Sequence, residues 1–310
     1  METDTGTPVS EALALSEEQV LSLGQLERRF RVFELMQESF AIYDWAVDKY
    51  VTSGDRQLVG TVVLFSGGND STVLADLFKG IATHAAHANT TVGIEQTRQF
   101  VRDTCEAWGL PLIEMVPERE QDRYRALVLD RGFPGPAHHW KMFQRLKERV
   151  LKQVRRQLVT NSRRERVIYL AGRRRTESNR RANIPEFERA GSIVYVSPLV
   201  NWTKADMNTY RSMFAVPHNE VADLIHMSGE CLCGAFAHQN EREEISSWFP
   251  EAFTEITELE ELLTDRTDIP EQCKRWGWGG DAETLKQFRK ERPKTGRLCS
   301  SCDARFLPEE

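Results

Sequence analysis

The sequence predicts an α/β fold: a doubly wound, mostly parallel sheet of five strands, with a helical N-terminal cap and a small cysteine-rich region at the C-terminal end. Short apolar runs alternate with helical periodicities between residues 60 and 215, as expected for strands joined by helices on both faces of a sheet. After Asn219 this alternation stops, and cysteines cluster further along the chain. We therefore divide the chain into a disordered start with a helical cap (1–56), a sheet domain (57–225) and a cysteine-rich region (226–310).

The composition is that of an ordinary globular chain. Its 310 residues are 40% hydrophobic and carry a formal net charge of −6, which excludes a general polyanion binder. No apolar run approaches the roughly 18 residues of a membrane helix, and residues 1–6 lack the pattern of a signal peptide. Six cysteines are too few for a disulfide framework in this length. We expect a cytoplasmic protein without a membrane partner, whose clustered cysteines serve a metal or catalysis.

Positive charge is concentrated in one stretch of the chain. Residues 141–181 contain 15 Lys or Arg and 3 Glu. This asymmetry indicates a polyanionic ligand, such as the phosphates of a nucleotide or a nucleic acid. For residues 141–156 the alternative interpretation is the solvent-facing side of a long helix, and both interpretations stay open.

The N-terminal cap is predicted to begin at a capping box. Ser16 and Gln19 have the spacing at which each side chain satisfies the backbone amide of the other residue. Apolar residues then recur at helical spacing, which predicts one long helix that ends near Tyr50.

The first predicted strand leads directly into a glycine turn. Residues 62–65 are apolar and mostly β-branched or aromatic, as in a short buried strand. The next six residues are Ser66, Gly67, Gly68, Asn69, Asp70 and Ser71. Glycines allow a ligand to approach the backbone closely, while Asp and Ser are residue types that begin helices. The first amides of such a helix have no internal partner and attract anions, most often phosphate. The Walker spacing is absent.

Four further strands complete the predicted sheet. They are expected within residues 82–92 and at 111–116, 166–171 and 193–196. Cys105 lies on the apolar stripe of the helix between the second and third strands, so we expect it in the core. A basic helix is predicted over residues 139–158, and Thr203 and Asp206 are predicted to cap the helix after the last strand.

An arginine-rich segment, residues 172–181, follows the fourth predicted strand. Ligands of a parallel sheet bind outside the carboxyl ends of its strands, so this segment and the glycine turn are expected to face one crevice. The planar guanidinium group matches the geometry of phosphate and sulfate.

The glycine turn resembles the PP-loop S-G-G-x-D-S of the ATP-pyrophosphatase superfamily, which binds the phosphates of ATP or of an adenylyl sulfate there. Asn69 occupies the position where these proteins often have lysine. A second resemblance is to the PAPS reductase branch, and it rests on Gly172, Arg174, Glu177, Ser178 and Arg181. The resemblance implies an adenine nucleotide alpha hydrolase-like fold in which both motifs bind the nucleotide. It makes Ser66, Asp70 and Arg174 the catalytic candidates.

The cysteine-rich region carries two close pairs of thiols, Cys231 with Cys233 and Cys299 with Cys302. Four thiolates in two pairs suit a tetrahedral zinc or an iron–sulfur cluster, and the C-x-C spacing favours the cluster. Cys273 is a substitute ligand, and His238 would serve a zinc site. The layout resembles the [4Fe–4S] site of assimilatory adenylyl-sulfate reductases. In those enzymes the first two cysteines are adjacent, whereas Leu232 separates them here.

These resemblances imply an enzyme that uses ATP and Mg²⁺. An acceptor oxygen would attack the α-phosphorus, pyrophosphate would leave, and sulfur from a donor protein would then displace AMP. The resemblance is to the PAPS reductase-like ATP pyrophosphatases of DNA phosphorothioation systems, in which the acceptor is a nucleic acid.

Two alternative functions stay open. Sulfonucleotide reductases have a Glu-Cys-Gly-x-His segment whose cysteine attacks the sulfate, and this segment does not occur in the 310 residues. The first alternative is therefore an adenylyl-sulfate reductase-like enzyme that takes its thiol from another protein. The second is a non-catalytic subunit that binds nucleotide and nucleic acid. Pyrophosphate release from ATP separates both alternatives from the main hypothesis.

Overall fold

The computed structural model describes residues 14–177, 181–237 and 240–280. The predicted site residues Ser178, His238, Cys299 and Cys302 lie outside the described residues, as do residues 1–13 of the predicted disordered start. In the described part of the chain, no helix is long and apolar enough to cross a membrane.

A six-stranded sheet forms the centre of the molecule. Its strand order is β3-β2-β1-β4-β6-β5, and every neighbouring pair is parallel except β5 with β6. The strands are β1 (Gln57–Leu64), β2 (His84–Ala88), β3 (Leu112–Met115), β4 (Glu165–Leu170), β5 (Phe187–Ala190) and β6 (Ile193–Val196). The predicted α/β class and mostly parallel sheet are confirmed.

The prediction of five strands was wrong by one edge strand. β5 pairs antiparallel with β6, and only Gly191 and Ser192 separate the two strands. Gly191 adopts φ +66°, the left-handed conformation that a two-residue hairpin turn requires. The four residues of β5 include Glu188 and Arg189, so the sequence of this strand is too polar for its pattern to predict a strand.

Helices pack on both faces of the sheet, as a doubly wound fold requires. The eleven α-helices of the described residues are α1 (Glu17–Ser22), α2 (Gln25–Val47), α3 (Asn69–Phe78), α4 (Glu95–Ala107), α5 (Tyr124–Arg131), α6 (His139–Phe143), α7 (Arg149–Leu158), α8 (Lys204–Phe214), α9 (Glu220–Ile225), α10 (Glu241–Trp248) and α11 (Pro250–Leu263).

Adjacent residues of β1 show how the sheet buries both faces. Val63 belongs to the apolar core formed with α2, α3 and α8, whereas Val62 belongs to the core formed with α7. Side chains of a strand alternate between faces, so the continuous apolar run of β1 is what a strand buried on both sides needs. Cys105 is buried in the first of these cores, as predicted, and burial raises its pKa to about 11.

The N-terminal cap consists of two helices rather than the single one predicted. The capping box of Ser16 and Gln19 is present at the start of α1. The chain then becomes extended at Leu23 and Gly24, and the Gly24 amide donates to Glu27 Oε2 at 2.7 Å. A glycine that can leave the helix, followed by a carboxylate that caps a new one, ends α1 after 6 residues.

The basic helix forms over the predicted residues but is not uniform. α6 and α7 are joined by one turn of π-helix, Gln144–Glu148, so helical backbone continues from His139 to Leu158. Thr203 caps α8 with Asp206 as its reciprocal partner, as predicted.

The residues after 226 contribute to a third apolar core. Leu232, Cys233 and Trp276 pack with residues of α5, α9, α10 and α11. The Leu232 amide donates to the Val92 carbonyl at 2.8 Å, so this segment lies against the chain that follows β2. The division of the chain at residue 226 stays a prediction.

Candidate functional site

The glycine turn lies at the carboxyl end of β1 and leads into α3. Gly67 adopts φ +76°, and a Cβ atom on it would lie 2.8 Å from Thr97 Cγ2. Any other residue would be strained both by its backbone conformation and by this contact. A Cβ on Gly68 would lie 3.2 Å from Ser228 Cβ. Both glycines therefore allow neighbouring segments to approach the turn closely.

The N-terminus of α3 presents backbone amides without a side-chain cap. The first intrahelical bond is from the Thr72 amide to the Gly68 carbonyl, at 2.9 Å. The amides of residues 69–71 precede it and have no carbonyl within the helix to bond. Ser66 Oγ and Ser71 Oγ lie 3.1 Å apart, and Ser71 Oγ also donates to the Gly68 carbonyl. This arrangement suits an anion, which the amides and the helix dipole both attract.

The arginine-rich segment contacts this turn. β4 neighbours β1 in the sheet, so Gly172, which follows β4, lies beside the glycine turn that follows β1. A Cβ atom on Gly172 would lie 3.3 Å from the Asp70 carbonyl. Arg174 Nε donates to Asp70 Oδ2 at 2.8 Å. Burial opposes the charge of Arg174, but the Asp70 carboxylate outweighs burial and raises the pKa of this guanidinium. The two predicted motifs are therefore joined by an ion pair.

Glu177 and Arg181 form a second ion pair in the same segment. Burial raises the pKa of Glu177, although Arg181 opposes this change, and Asp70 and Arg174 also act electrostatically on Glu177. The described members of the two motifs thus form one charged cluster at the ends of β1 and β4.

The other two arginines of the segment that the structure describes, Arg173 and Arg175, have structural partners. Arg173 Nε donates to Ser197 Oγ at 2.9 Å, beside β6. Arg175 donates to Glu186 Oε1 at 2.7 Å and to the Ile184 carbonyl. Of the three consecutive arginines, Arg174 is the one whose partner belongs to the glycine turn.

Residues that the sequence analysis missed hold the other side of the turn. Asn219 Nδ2 donates to the Gly67 carbonyl at 2.8 Å, while Asn219 Oδ1 caps α9. Thr97 Oγ1 donates to the Ser228 carbonyl at 2.7 Å. An asparagine before a helix is a visible N-cap signal, but its contact across 152 positions of the chain has no local signature.

A buried bridge connects the turn to the cysteine segment. His87 Nδ1 lies 2.8 Å from the Phe65 carbonyl, and His87 Nε2 lies 2.9 Å from Glu230 Oε2. A carbonyl only accepts, so Nδ1 carries a proton. Burial alone would lower the pKa of His87, but the Glu230 carboxylate outweighs it and raises that pKa. The Thr90 amide and Arg98 Nε also donate to Glu230, at 2.7 Å and 3.4 Å.

Two of the predicted metal ligands, Cys231 and Cys233, lie together in the segment after this bridge. A hydrogen bond from Cys233 outweighs burial and lowers the pKa of the Cys231 thiol. Trp276 Nε1 donates to the Leu232 carbonyl at 2.8 Å and fixes the backbone between the thiols. Among the described residues no group of three or more His, Cys, Asp or Glu could hold a metal ion. Of the predicted ligands, the described residues thus bring together two thiols, those of Cys231 and Cys233.

Cys273, the predicted substitute ligand, has a structural role in the described residues. Its carbonyl accepts from the Phe133 amide at 2.6 Å, and its side chain packs on the same apolar core as Cys233. Burial raises the pKa of the Cys273 thiol, which disfavours the thiolate that metal binding requires.

Part of the positive charge of the helical stretch is paired with carboxylates from elsewhere in the molecule. Arg145 and Arg149 both form ion pairs with Asp122, and Arg156 Nη2 lies 2.9 Å from Glu118. These carboxylates lie outside residues 141–181, so the count of charges along the stretch overstated its free positive charge. The structure shows that some arginines of residues 141–156 are ion-paired, and both interpretations of this helix, a binding surface and a solvent-facing side, stay open.

Comparison with known proteins identifies the family. The model of the phosphoadenosine phosphosulfate reductase domain matches residues 60–226, which is more than half of the chain. The chain belongs to the phosphoadenosine phosphosulfate reductase domain family. The matched region contains the glycine turn and the arginine-rich segment, and the predicted family and PP-loop superfamily are confirmed.

One curated relative of this PAPS reductase domain is the adenosine 5′-phosphosulfate reductase of Mesorhizobium japonicum. It is 29% identical over 102 residues, which cover 31% of this chain and 40% of that reductase. The match thus spans less than half the length of the relative.

Solved structures that match the chain have low sequence identity to it. A phosphoadenylyl-sulfate reductase of Candida auris, in a phosphate complex, is 19% identical over 71% of this chain and 94% of its own, with a TM-score of 0.42. The NMN synthetase of Francisella tularensis is 18% identical over 71% and 95% of the two chains, with a TM-score of 0.41. The FMN adenylyltransferase of Candida glabrata is 12% identical over 69% and 66%, with a TM-score of 0.43.

Proposed function

We propose that this protein is an ATP pyrophosphatase that adenylylates an acceptor for sulfur incorporation. The observation that supports this most is the uncapped N-terminus of α3, which lies beside Arg174 at the ends of two adjacent parallel strands. Unpaired amides and a guanidinium are complementary to a triphosphate. Gly67 and Gly68 would let the phosphates reach the backbone, and Ser66 and Ser71 would donate their hydroxyl protons to phosphate oxygens.

The position of Asp70 argues for a divalent cation in the same site. A carboxylate in the first turn of a phosphate-binding helix would repel the triphosphate unless a cation lay between them. Magnesium is usually bound by one or two carboxylates together with substrate phosphates. Bound there, Mg²⁺ would neutralise charge on the leaving pyrophosphate. Asn69 adds no positive charge, so Arg174 and Arg181 would supply the remaining compensation.

The proposed reaction breaks the bond between the α-phosphorus and the oxygen that bridges to the β-phosphorus. An acceptor oxygen forms the new bond to the α-phosphorus, and pyrophosphate leaves with the bonding electron pair. The sulfur of a donor protein then attacks the adenylylated carbon or phosphorus of the acceptor and displaces AMP. Ser66, Asp70 and Arg174 act by positioning the phosphates and by balancing developing charge. Residues Gly172, Glu177 and Ser178 complete the proposed nucleotide site.

Cys231, Cys233, Cys299 and Cys302 would hold a [4Fe–4S] cluster, with zinc as the alternative metal and Cys273 as the substitute ligand. The adjacent thiols and the lowered pKa of Cys231 support soft-metal binding by the first pair. When bound, the cluster would activate the donated sulfur or fix the cysteine segment against the sheet. A nucleic-acid acceptor, as in DNA phosphorothioation, a sulfur-donor protein and a cytoplasmic location are proposed on the sequence resemblance alone.

Pyrophosphate release tests this proposal. We expect release from Mg-ATP in the presence of an acceptor, assayed with DNA and with tRNA. Asp70→Ala and Gly68→Val should lower the rate at least about 100-fold, as loss of a preorganised charge-stabilising group does in other enzymes. Asp268→Asn, a carboxylate in an exposed ion pair with Arg266, is the matched control and should leave the rate unchanged. Equal rates for Asp70→Ala and the control would refute the assignment.

A second candidate is an adenylyl-sulfate reductase that uses an external thiol. The family match and the named activity of the Mesorhizobium relative favour it. It predicts that sulfite and AMP form from adenosine 5′-phosphosulfate and a thiol-reducing protein, and that ATP yields no pyrophosphate. Sulfite production without pyrophosphate release would replace the first proposal with this one.

A further inference from the structure

The outward face of α2 carries an apolar stripe that the described residues leave exposed. Leu26, Phe30 and Phe33 are 65%, 62% and 48% exposed. They lie at the spacing of neighbours on one side of a helix, opposite the buried residues Val32 and Leu35.

The stripe continues onto the neighbouring helix. Phe214 at the end of α8 is 40% exposed, and its ring packs edge-on against Phe33 with the centroids 6.2 Å apart. Together Phe30, Phe33 and Phe214 leave about 300 Å² of aromatic surface exposed, estimated from the size of an aromatic side chain. A contiguous apolar patch of about 300 Å² is at the lower end of the largest patches found on monomers, and such patches are often functional.

Opposite charges border the stripe on its two sides. At about 100° per residue, Arg29 and Glu34 project to opposite sides of the line through Leu26, Phe30 and Phe33. Both residues are exposed, and within the described part of the chain neither has an ion-pair partner. The stripe is therefore apolar along its centre, positive along one border and negative along the other.

We propose that this surface binds the same surface of a second copy of the chain, with the two α2 helices side by side and parallel. A two-fold axis parallel to the helices brings the Arg29 border of one copy against the Glu34 border of its partner, twice per dimer. The two residues are five positions apart, or about 7.5 Å along the axis. This separation and placement are those of the interhelical salt bridges in parallel two-stranded coiled coils.

The charges also select the direction of packing. In an antiparallel pair, like borders would meet, so that Glu34 would face Glu27 and Arg29 would face Met36. That arrangement sets carboxylates against each other and leaves Arg29 without a partner. The borders of mixed sign also distinguish the stripe from a membrane-surface helix, whose polar side is rich in Lys and Arg.

The buried area sets the expected strength of the dimer. Two stripes would cover about 600 Å² of aromatic surface, whereas specific interfaces cover more than about 1,200 Å² in total. The bordering side chains must supply the remainder, so dimerisation is expected to be reversible and concentration-dependent.

Sedimentation equilibrium of the full chain tests the use of this surface. We expect a mass that rises with concentration from 35.6 kDa towards twice that value. Leu26→Ser should weaken the dimer at least about tenfold, because it removes an exposed side chain of the stripe. Leu262→Ser changes the same residue type at a site 51% exposed on α11 and should leave dimerisation unchanged. A chain that stays monomeric at every concentration would overturn the proposal, as would equal effects of the two variants.

Charge reversal tests the parallel arrangement. Arg29→Glu and Glu34→Arg, each alone, place like charges against each other twice and should be monomeric. A mixture of the two variants restores both ion pairs, so it should form a heterodimer as strong as the original dimer. Since both residues are exposed, folding is retained and can be verified by circular dichroism. Failure of the mixture to dimerise would overturn the parallel arrangement.

Discussion

The ion pair of Asp70 and Arg174 joins the glycine turn to the arginine-rich segment and would have to open when a ligand binds between them. Each side chain now satisfies the other at 2.8 Å, in a site where Arg174 is almost fully buried. A triphosphate with Mg²⁺ would offer each of them a stronger partner, the cation for Asp70 and the phosphate oxygens for Arg174. In the proposed function, the pair would keep both side chains in place until nucleotide binds.

At this scale we predict the effect of Arg174→Gln on nucleotide affinity. A charge-assisted hydrogen bond contributes about 1.5–3 kcal/mol, so the Kd for Mg-ATP should rise roughly 10- to 100-fold. Isothermal titration calorimetry measures this change. Arg156→Gln, which breaks an ion pair of 2.9 Å with Glu118 on the surface, is the matched control and should bind normally. A weakened control and an unaffected Arg174 variant would contradict the assignment.

Glu38 gives a prediction about pH. Burial raises the pKa of this carboxyl to about 7, although Asn201 donates to it and lowers the shift. The folded state therefore holds a proton that the unfolded state loses near its ordinary pKa of 4.5. The stabilisation of the folded state that this proton gives is fully present below pH 4.5 and is lost as the pH rises to about 7.

Denaturant titrations measure this pH dependence. The stability of the natural chain relative to Glu38→Gln should fall between pH 5 and 7.5 and then level off. Glu106→Gln, an exposed carboxylate on α4, controls for the titration of the other groups. A constant difference across this range would contradict the raised pKa.

At the scale of elements, the bridge of His87 and Glu230 joins β2 to the cysteine segment. The ring of His87 also bonds to the Phe65 carbonyl, immediately before the glycine turn. One imidazole therefore ties the exit of β1 to the backbone that carries Cys231 and Cys233. This explains why the polar sequence of β2 forms a buried strand: its histidine has partners at both ring nitrogens.

We predict that His87→Ala loosens this segment. The variant leaves the Glu230 carboxylate buried without its main partner, at a cost of about 3–5 kcal/mol in the free energy of unfolding. Hydrogen exchange at the Leu232 amide, which bonds to Val92, should accelerate more than exchange within β4. His84→Ala removes a more exposed imidazole from the same strand and should have little effect. Equal exchange rates in the two variants would show that the bridge does not hold the segment.

At the scale of the whole molecule, the features that the sequence predicted are those that depend on a short continuous stretch of residues. The turn from Ser66 to Ser71 is one continuous stretch of sequence, and so is the segment that begins at Gly172. Each could therefore be recognised together with the strand that precedes it. Their placement at one edge follows from parallel strands that are neighbours in the sheet. Thr203 and Asp206 were found for the same reason, because a capping box spans only four residues.

What the sequence did not predict depends on partners far away in the chain. Asn219 contacts the glycine turn from a distant segment, and Glu230 is linked to the residue before the turn through His87. No local spacing marks Asn219 or Glu230. The ion pairs of the basic helix could not be predicted because their carboxylates, Asp122 and Glu118, lie outside the stretch and precede it in the chain. Gly24, by contrast, is a local signal for the break between α1 and α2. The apolar periodicity on both sides of it predicted one continuous helix instead.

The central claim is that the amides at the start of α3 bind the phosphates of an adenine nucleotide. A crystal structure with Mg²⁺ and the ATP analogue that has a methylene group between its α- and β-phosphorus tests it most directly. The account predicts phosphate oxygens about 3 Å from the backbone nitrogens of residues 68–71, with Arg174 turned from Asp70 towards the phosphates. An empty turn, with the analogue bound elsewhere on the protein, would contradict it.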